Sequence, residues 1–261
     1  MPFLRRADRA LDHLDAQVYD LLEERRRADT DREDLLAMLL DSDAEMADEQ
    51  IRDEMLTFLF AGHETTALTL TYVWDLLSRN PEVEARLHDE LAEVVDERPT
   101  IEDVFEFEYA EAVVKEAMRL YPPAHEIRRE PTANVTFGDY EVPEGSLVVL
   151  PTWVLHRDDR FWNDPEEFRP ERFLDGETGV SSDTGGERSE TRTDRPEYAF
   201  FPFGGGPRRC IGQQFAMTEA QLVLATMASE WTLDREYGDL ELSAAVTLQP
   251  KGDVPVTTER R

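Results

Sequence analysis

The residues with the clearest chemical potential surround the only cysteine of the chain. Residues 203–212 read FGGGPRRCIG, and a helical pattern follows them. Glycines let a backbone approach a flat ligand closely, while the start of a helix offers N–H groups and a positive dipole end that favour a thiolate. Such donors also tune an iron bound through sulfur. This setting favours a ligand role for Cys210, although a lone cysteine is more often an inert buried residue.

A phosphate-binding loop is the rival interpretation of these glycines. The glycine-rich phosphate motif continues into Gly-Lys-Ser or Gly-Lys-Thr, and that continuation is absent from residues 203–212. The sequence therefore favours a sulfur ligand over a phosphate cradle.

A second unusual segment, residues 61–66 (AGHETT), lies within a long stretch predicted to be helical. Gly62 costs a helix roughly 1 kcal/mol relative to alanine. A carboxylate on an apolar face, as Glu64 would be, costs more unless it is paired. The segment is either a functional site or a helix kink with a satisfied buried acid, and composition alone leaves both open.

Glu116 and Arg119 form a third candidate, with opposite charges three residues apart on one predicted helical face. An exposed pair of this kind usually contributes less than about 1 kcal/mol. A buried pair is far more sensitive, because losing one partner leaves a charge without compensation.

The cysteine segment matches a known pattern. Phe203, Gly206, Arg208, Cys210 and Gly212 occupy all five fixed positions of F-x-x-G-x-R-x-C-x-G. A chance match in a chain of this length is on the order of one in ten thousand. On these residues, the chain resembles the haem-binding, C-terminal half of a cytochrome P-450.

Three further segments support that resemblance and occur in the expected order. Residues 61–66 are similar to the family motif A/G-G-x-D/E-T, and Glu116 with Arg119 is similar to its Glu-x-x-Arg pair. Residues 168–173 (FRPERF) resemble its P-E-R-F segment, whose arginine here is Arg172. The resemblance implies a structural role for Glu116, Arg119 and Arg172, which would hold the chain beside the cysteine loop.

The resemblance also implies a cofactor site. Cys210 would be the sulfur ligand of the iron in haem b, and Arg208 would hold a haem propionate. Arg129 would reach the other propionate, with Arg128 as the alternative. The remaining implied haem contacts are Phe203, Gly204, Gly212 and Ala61.

The implied activity is that of a haem-thiolate monooxygenase. Thr65 would hydrogen-bond dioxygen and Glu64 would help to relay protons to it, so that one oxygen atom enters a small, apolar organic substrate. The electrons would come from a separate ferredoxin or flavoprotein reductase. The alternatives are a truncated, non-catalytic haem-binding fragment, and a peroxide-using enzyme or isomerase of the same fold. Family members are longer on the N-terminal side, so an N-terminal half supplied elsewhere is a further expected partner.

Helices must position these residues. The pattern predicts helices up to about residue 40, over 47–78, 82–95 and 108–120, and a last helix that follows Cys210 and ends at about residue 230. Short strands are predicted over 135–150, with a turn at Gly138 and Asp139. The expected fold is mainly α with a minor β-sheet, the C-terminal portion of the cytochrome P-450 fold. Residues 1–261 would form a single partial domain, with 175–196 as a mobile acidic surface loop.

The charge balance narrows the possible partners. The chain has 58 acidic and 28 basic residues, a formal net charge of -30. Nucleic acid is disfavoured because it would be repelled. The acids are spread along the whole chain, which favours a solvated acidic shell over a local docking surface and suggests a halophilic source.

The sequence also favours a cytoplasmic protein without a membrane span. The most apolar stretch, residues 55–74, contains His63 and Glu64, which suits a buried helix better than a span. The first ten residues lack the apolar core of a secretory signal. One cysteine excludes an internal disulfide, which suits a reducing compartment.

The acidic shell leads to a prediction about salt. Screening shortens the reach of self-repulsion, so the melting temperature should rise between dilute buffer and molar potassium chloride. Thermal unfolding followed by circular dichroism measures this. A melting temperature that stays constant or falls with added salt would contradict the interpretation of the charges.

Overall fold

The computed structural model describes residues 2–28, 34–40, 46–174, 195–235, 238 and 240–261. The chain divides into two compact units, Met1–Glu64 and Thr65–Arg261. Residues 175–194 of the predicted acidic loop lie outside the described residues. No helix in the part of the chain that the structure describes is long and apolar enough to cross a membrane.

The first unit is helical. It contains α1 (Pro2–Arg27), α2 (Leu35–Leu40) and the first part of α3 (Asp48–Leu77). Three side chains, one from each helix, form its buried core: Leu22, Leu36 and Ile51. Ion pairs supplement this small core; Arg25 contacts Asp34 at 2.6 Å, for example.

The second unit holds the main hydrophobic core. Its helices are the rest of α3, α4 (Pro81–Val94), α5 (Glu108–Leu120), the short α6 (Thr152–Leu155) and α7 (Gln213–Glu230). Helix α4 begins at a proline, whose fixed φ suits a first turn. Helices α4 and α5 pack against α7 and against each other, and α5 is buried along most of its length.

Within the described residues, the strands form four separate two-stranded antiparallel ladders. They pair β1 (Ile127–Arg129) with β4 (Val148–Leu150), β2 (Val135–Phe137) with β3 (Tyr140–Val142), β5 (Trp231–Asp234) with β8 (Thr257–Arg260), and β6 (Leu242–Ala244) with β7 (Leu248–Pro250). The expected turn at Gly138 is present between β2 and β3, with φ of 57° at the glycine. The predicted fold, mainly α with a minor β-sheet, is confirmed.

Helix α7 follows Cys210, as the sequence predicted, and covers Gln213–Glu230. The N–H of Cys210 donates to the oxygen of Phe203 at 2.9 Å, which keeps Cys210 in the loop before the helix.

The hydroxyl of Tyr72 connects α3 to β7. The hydroxyl of Tyr72, a wholly buried residue, donates to the main-chain oxygen of Leu248 in β7 at 2.6 Å. The Tyr72 ring also stacks on Tyr121, with ring centroids 5.0 Å apart. The loops that follow α5 and β6 are thereby tied to α3.

We expect Tyr72→Phe to lower the free energy of unfolding by about 1–3 kcal/mol, because the buried oxygen of Leu248 loses this donor. Tyr140→Phe removes the hydroxyl of a residue that is 78% exposed and should change little. Urea denaturation measures both variants. Equal stability of the two variants would contradict the importance of the Tyr72 hydrogen bond.

Candidate haem-binding site

The cysteine loop is closed by its own main-chain hydrogen bonds. The N–H of Gly204 donates to the oxygen of Phe201 at 2.9 Å, and the N–H of Cys210 donates to the oxygen of Phe203 at 2.9 Å. The N–H of Arg209 donates to the oxygen of Gly206 at 3.0 Å. Cys210 itself is exposed, so its thiol is presented by a fixed backbone rather than buried in the core.

Two glycines of the loop are required by their surroundings. Gly204 has a φ of 74°, and a Cβ there would lie 3.4 Å from Cδ1 of Ile127 in β1. A Cβ at Gly205 would clash with the ring of Tyr198. The left-handed backbone and the close packing both favour residues without a side chain. The loop is consequently seated against β1.

The start of α7 lies directly behind the cysteine. Gly212 is the N-cap, and among the described residues no side chain caps this helix. The first N–H groups of α7 therefore keep their capacity to donate, and the dipole end favours negative charge nearby. A Cβ at Gly212 would lie 3.9 Å from Sγ of Cys210, so the sulfur sits close to this helix start.

Exposed apolar and cationic side chains lie in the cysteine loop, at the start of α7 and in β1. Ile211 and Phe215 are 82% and 73% exposed, an unusual exposure for large apolar groups. Arg208 is also exposed, and Arg129 is exposed at the end of β1. A thiol ligand, an apolar face and flanking guanidinium groups are the donor set that a flat, apolar iron macrocycle with two carboxylates requires. The residues present fit haem.

The residues of the α3 motif are divided between the two units. Ala61 and Glu64 belong to the first unit and Thr65 to the second. Glu64 is exposed, whereas the sequence placed it on an apolar face; its neighbours Leu59 and Phe60 are exposed as well. Thr65 is partly buried, and its main-chain oxygen accepts the hydroxyl of Thr69 at 2.9 Å. Helix α3 continues through Gly62 without interruption.

Glu116, Arg119 and Arg172 meet in the interior. Oε2 of Glu116 accepts Nε of Arg119 at 2.7 Å, and Oε1 accepts Nη2 of Arg119 at 2.8 Å and Nε of Arg172 at 2.9 Å. All three side chains are completely buried. Burial lowers the pKa of Arg172 from its ordinary value, and Glu116 opposes that shift. The structure thus places this ion cluster where a missing partner would be most costly.

The two guanidinium groups hold the chain that leads towards the cysteine loop. Nη1 of Arg119 donates to the main-chain oxygens of His156 at 2.8 Å and Pro165 at 2.7 Å. Nη1 of Arg172 donates to the oxygen of Asn163 at 2.8 Å. A segment with little regular structure is therefore fixed by side-chain donors from α5 and from the turn Pro170–Phe173.

His156 is a site residue that sequence reasoning missed. Its ring is completely buried, and its Nε2 accepts the N–H of Phe201 at 3.0 Å. Burial, with a further contribution from Arg119, lowers the pKa of His156 to about 3, so the ring is neutral near pH 7. Polar neighbours such as Arg157 and Asp158 indicated a surface segment, and no feature of the sequence distinguished this histidine.

A second ligand cluster is absent from the described residues. Among them, no group of three or more His, Cys, Asp or Glu side chains is arranged to hold a metal ion. Cys210, exposed in its hydrogen-bonded loop, is the candidate metal ligand of this site.

Comparison with known proteins places the chain in a family context. The family model described as Cytochrome P-450 matches residues 1–252. The cyclooctat-9-en-7-ol 5-monooxygenase of Streptomyces melanosporofaciens is 38% identical over 266 residues, covering 100% of this chain and 55% of the relative. The pentalenene oxygenase of Streptomyces avermitilis is 37% identical, covering 91% and 48%. The putative cytochrome P-450 132 of Mycobacterium tuberculosis is 36% identical, covering 95% and 51%. The chain spans about half the length of the curated relatives it matches.

The buried ion cluster predicts a contrast between two glutamates of α5, one buried and one partly exposed. Glu116→Ala should lower the free energy of unfolding by about 3–5 kcal/mol, because two buried guanidinium groups lose their counter-charge. Glu111→Ala removes a partly exposed pair with Lys115 and should cost less than about 1 kcal/mol. Urea denaturation followed by circular dichroism measures both; similar losses would contradict the burial argument.

The neutral His156 predicts a specific acid sensitivity. In the unfolded chain its pKa is near the ordinary 6.5, against about 3 in the folded protein. As the pH falls below 6.5, the unfolded chain binds a proton that the folded protein does not. The free energy of unfolding should therefore fall, by up to about 1.4 kcal/mol per pH unit from this group.

Comparison with His156→Gln isolates that contribution from the titration of the many carboxylates. The variant should lose stability less steeply between about pH 7 and about pH 4 in urea denaturation. Identical slopes for parent and variant would show that His156 takes up a proton equally in both states.

Proposed function

The chain belongs to the cytochrome P-450 family, and from this premise we propose that it is the haem-binding, C-terminal half of a haem-thiolate monooxygenase. The observation that carries the proposal is the exposed Cys210 in a hydrogen-bonded glycine loop immediately before α7. This is the only cysteine of the chain.

Cys210 is the proposed iron ligand of haem b, the cofactor of the family. When bound, haem supplies the iron at which dioxygen is reduced and one of its atoms is transferred. The chain would contribute the Cys210 sulfur, which lies close to the start of α7, where the positive end of the helix dipole favours a negatively charged ligand. Gly204 and Gly212 carry no side chain and would let their backbone approach a flat cofactor closely.

The cationic and apolar groups around the loop orient the cofactor. Arg208 and Arg129 would bind its propionates, since guanidinium groups pair well with carboxylates. Phe203 from the loop and Ala61 from α3 would contact the macrocycle. Exposed apolar neighbours such as Ile211 favour an apolar ligand over water.

Glu64 and Thr65 are the proposed proton-handling residues. A threonine hydroxyl both donates and accepts hydrogen bonds, and a carboxylate exchanges protons with solvent. The exposure of Glu64 gives its carboxylate direct access to water. In this proposal the carboxylate of Glu64 would take up a proton from solvent, and the hydroxyl of Thr65 would relay it towards dioxygen by accepting one hydrogen bond and donating another.

The overall reaction joins one oxygen atom to an organic substrate and reduces the other to water. It requires dioxygen, two protons and two electrons, which we assign to a separate ferredoxin or flavoprotein reductase. The names of two relatives refer to cyclooctat-9-en-7-ol and pentalenene, and we propose a small, apolar organic substrate here. The strongly acidic chain argues against nucleic acid as a partner.

A haem-binding role without turnover of its own is the second candidate. It is favoured by the coverage of about half of each relative, because the corresponding other half would then supply further walls of the pocket. On this proposal the chain loads haem by itself, while tight coupling of electrons to product requires the additional half.

We expect Cys210→Ala to abolish the red-shifted ferrous carbon-monoxide spectrum that a thiolate ligand gives, because the chain has no other thiol. Thr226→Ala, an exposed position further along α7, is the matched control and should retain that spectrum. The measurement is a reduced carbon-monoxide difference spectrum after haem loading. A thiolate-type spectrum in Cys210→Ala would overturn the assignment of the ligand.

A further inference from the structure

We propose that His156 is a positioning residue for Cys210, acting through the hydrogen bond that its Nε2 accepts from the N–H of Phe201. The inference rests on the proposed function, in which the Cys210 sulfur is the haem ligand. It adds a residue outside the cysteine motif that sets the geometry of the ligand loop.

Hydrogen bonds fix the main chain of His156 at both its N–H and its oxygen. The N–H of His156 donates to the oxygen of Thr152 at 2.9 Å, and the oxygen of His156 accepts Nη1 of Arg119 at 2.8 Å. The ring itself packs against Phe200 and Phe201, with centroid separations of 5.1 and 5.5 Å. Because the main chain of His156 is bonded to α6 and α5, the position of its acceptor nitrogen is fixed. This nitrogen in turn restrains the chain that enters the loop.

Three hydrogen bonds then connect this nitrogen to the cysteine. Nε2 of His156 fixes the N–H of Phe201 at 3.0 Å. The oxygen of Phe201 accepts the N–H of Gly204, and the oxygen of Phe203 accepts the N–H of Cys210, both at 2.9 Å. The N–H and the oxygen of Phe201 belong to adjacent peptide units that meet at its Cα, so fixing the N–H restrains the residue whose oxygen holds the turn before Cys210.

The electrostatic surroundings keep Nε2 an acceptor. The charged groups that face the ring are both cationic: Arg119 from α5 and Arg157 from the same segment. A second proton on the ring would add a positive charge beside these two guanidinium groups and remove the lone pair that binds Phe201. Burial and these cations lower the pKa of His156 to about 3, so the acceptor is present across the physiological range.

A purely space-filling role is the competing explanation, since the ring lies among aromatic side chains. The two explanations differ in what a substitution must preserve. If only shape matters, His156→Phe is tolerated. If the acceptor matters, His156→Gln is tolerated better, because its amide oxygen accepts a hydrogen bond and the buried N–H of Phe201 would otherwise remain unsatisfied.

The first test uses the haem-free, full-length chain. Amide hydrogen exchange over residues 201–210 reports the order of the loop, and alkylation of the sole cysteine by iodoacetamide reports its presentation. His156→Phe should accelerate exchange on the order of tenfold and change the alkylation rate, as expected for loss of one buried hydrogen bond. His156→Gln should stay within about twofold of the parent.

The second test uses the haem-loaded protein and the fraction of thiolate-type ferrous carbon-monoxide spectrum. His156→Phe should lower that fraction and His156→Gln should restore it. The matched control is His88→Phe, which alters another buried histidine, on α4, and should leave the exchange of residues 201–210 unchanged.

The outcomes separate the two proposals. Parent-like loop exchange and alkylation in His156→Phe, or equal loss in the Phe and Gln variants, overturns the role of the acceptor. If His156→Phe does not fold, the Gln variant decides, because a tenfold loss of loop protection there also overturns it and parent-like protection supports it. A parent protein without a thiolate-type spectrum overturns the proposed function instead, whatever the haem-free exchange shows.

Discussion

The carboxylate of Glu116 lies between two guanidinium groups at a depth where none of the three side chains meets solvent. Removing charges from water is costly, and the cost is recovered only where geometry and hydrogen bonding are nearly complete. Here the carboxylate accepts two bonds from Arg119, one from Arg172 and one from the N–H of Arg169. The remaining guanidinium donors bind main-chain oxygens. The charged groups of the cluster are therefore hydrogen-bonded, and the same bonds fix the path of the neighbouring main chain.

Burial is the main reason why the neighbouring His156 is neutral, and Arg119 of that cluster adds to it. The cluster carries one carboxylate against two guanidinium groups, so a further proton nearby meets an excess of positive charge. His156 remains an acceptor beside it and binds the chain entering the loop. Local hydrogen bonds complete the loop as far as Cys210. A series of hydrogen bonds therefore connects the buried cluster to the loop that carries the thiol.

Much of this arrangement could be predicted from the sequence where the determinants are local. Helix α5 follows its predicted bounds of 108–120, and Pro81 starts α4 as the pattern indicated. The motif around Cys210 identified the loop and the helix that follows it, but the hydrogen bond from Cys210 to Phe203 that closes the loop is not visible in helical periodicity.

The features that were missed depend on contacts between distant segments. The role of His156 depends on Phe201, which is 45 residues away along the chain, while its sequence neighbours are charged. The apolar composition of α3 likewise did not predict that Glu64 would be exposed. The amino-acid composition around Glu64 and His156 therefore did not predict which of them is exposed and which is buried, because that depends on packing.

The choice of main-chain oxygens as partners has an evolutionary consequence. Arg119 and Arg172 bind the carbonyl groups of Asn163 and Pro165, among others, and leave the side chains there uninvolved. Such positions are free to drift in sequence while the backbone path is kept. Position 164 is different, because Asp164 has a φ of 49°, a conformation that only glycine, asparagine and aspartate adopt readily. Variation in this segment should thus be wide at 163 and 165 and narrow at 164.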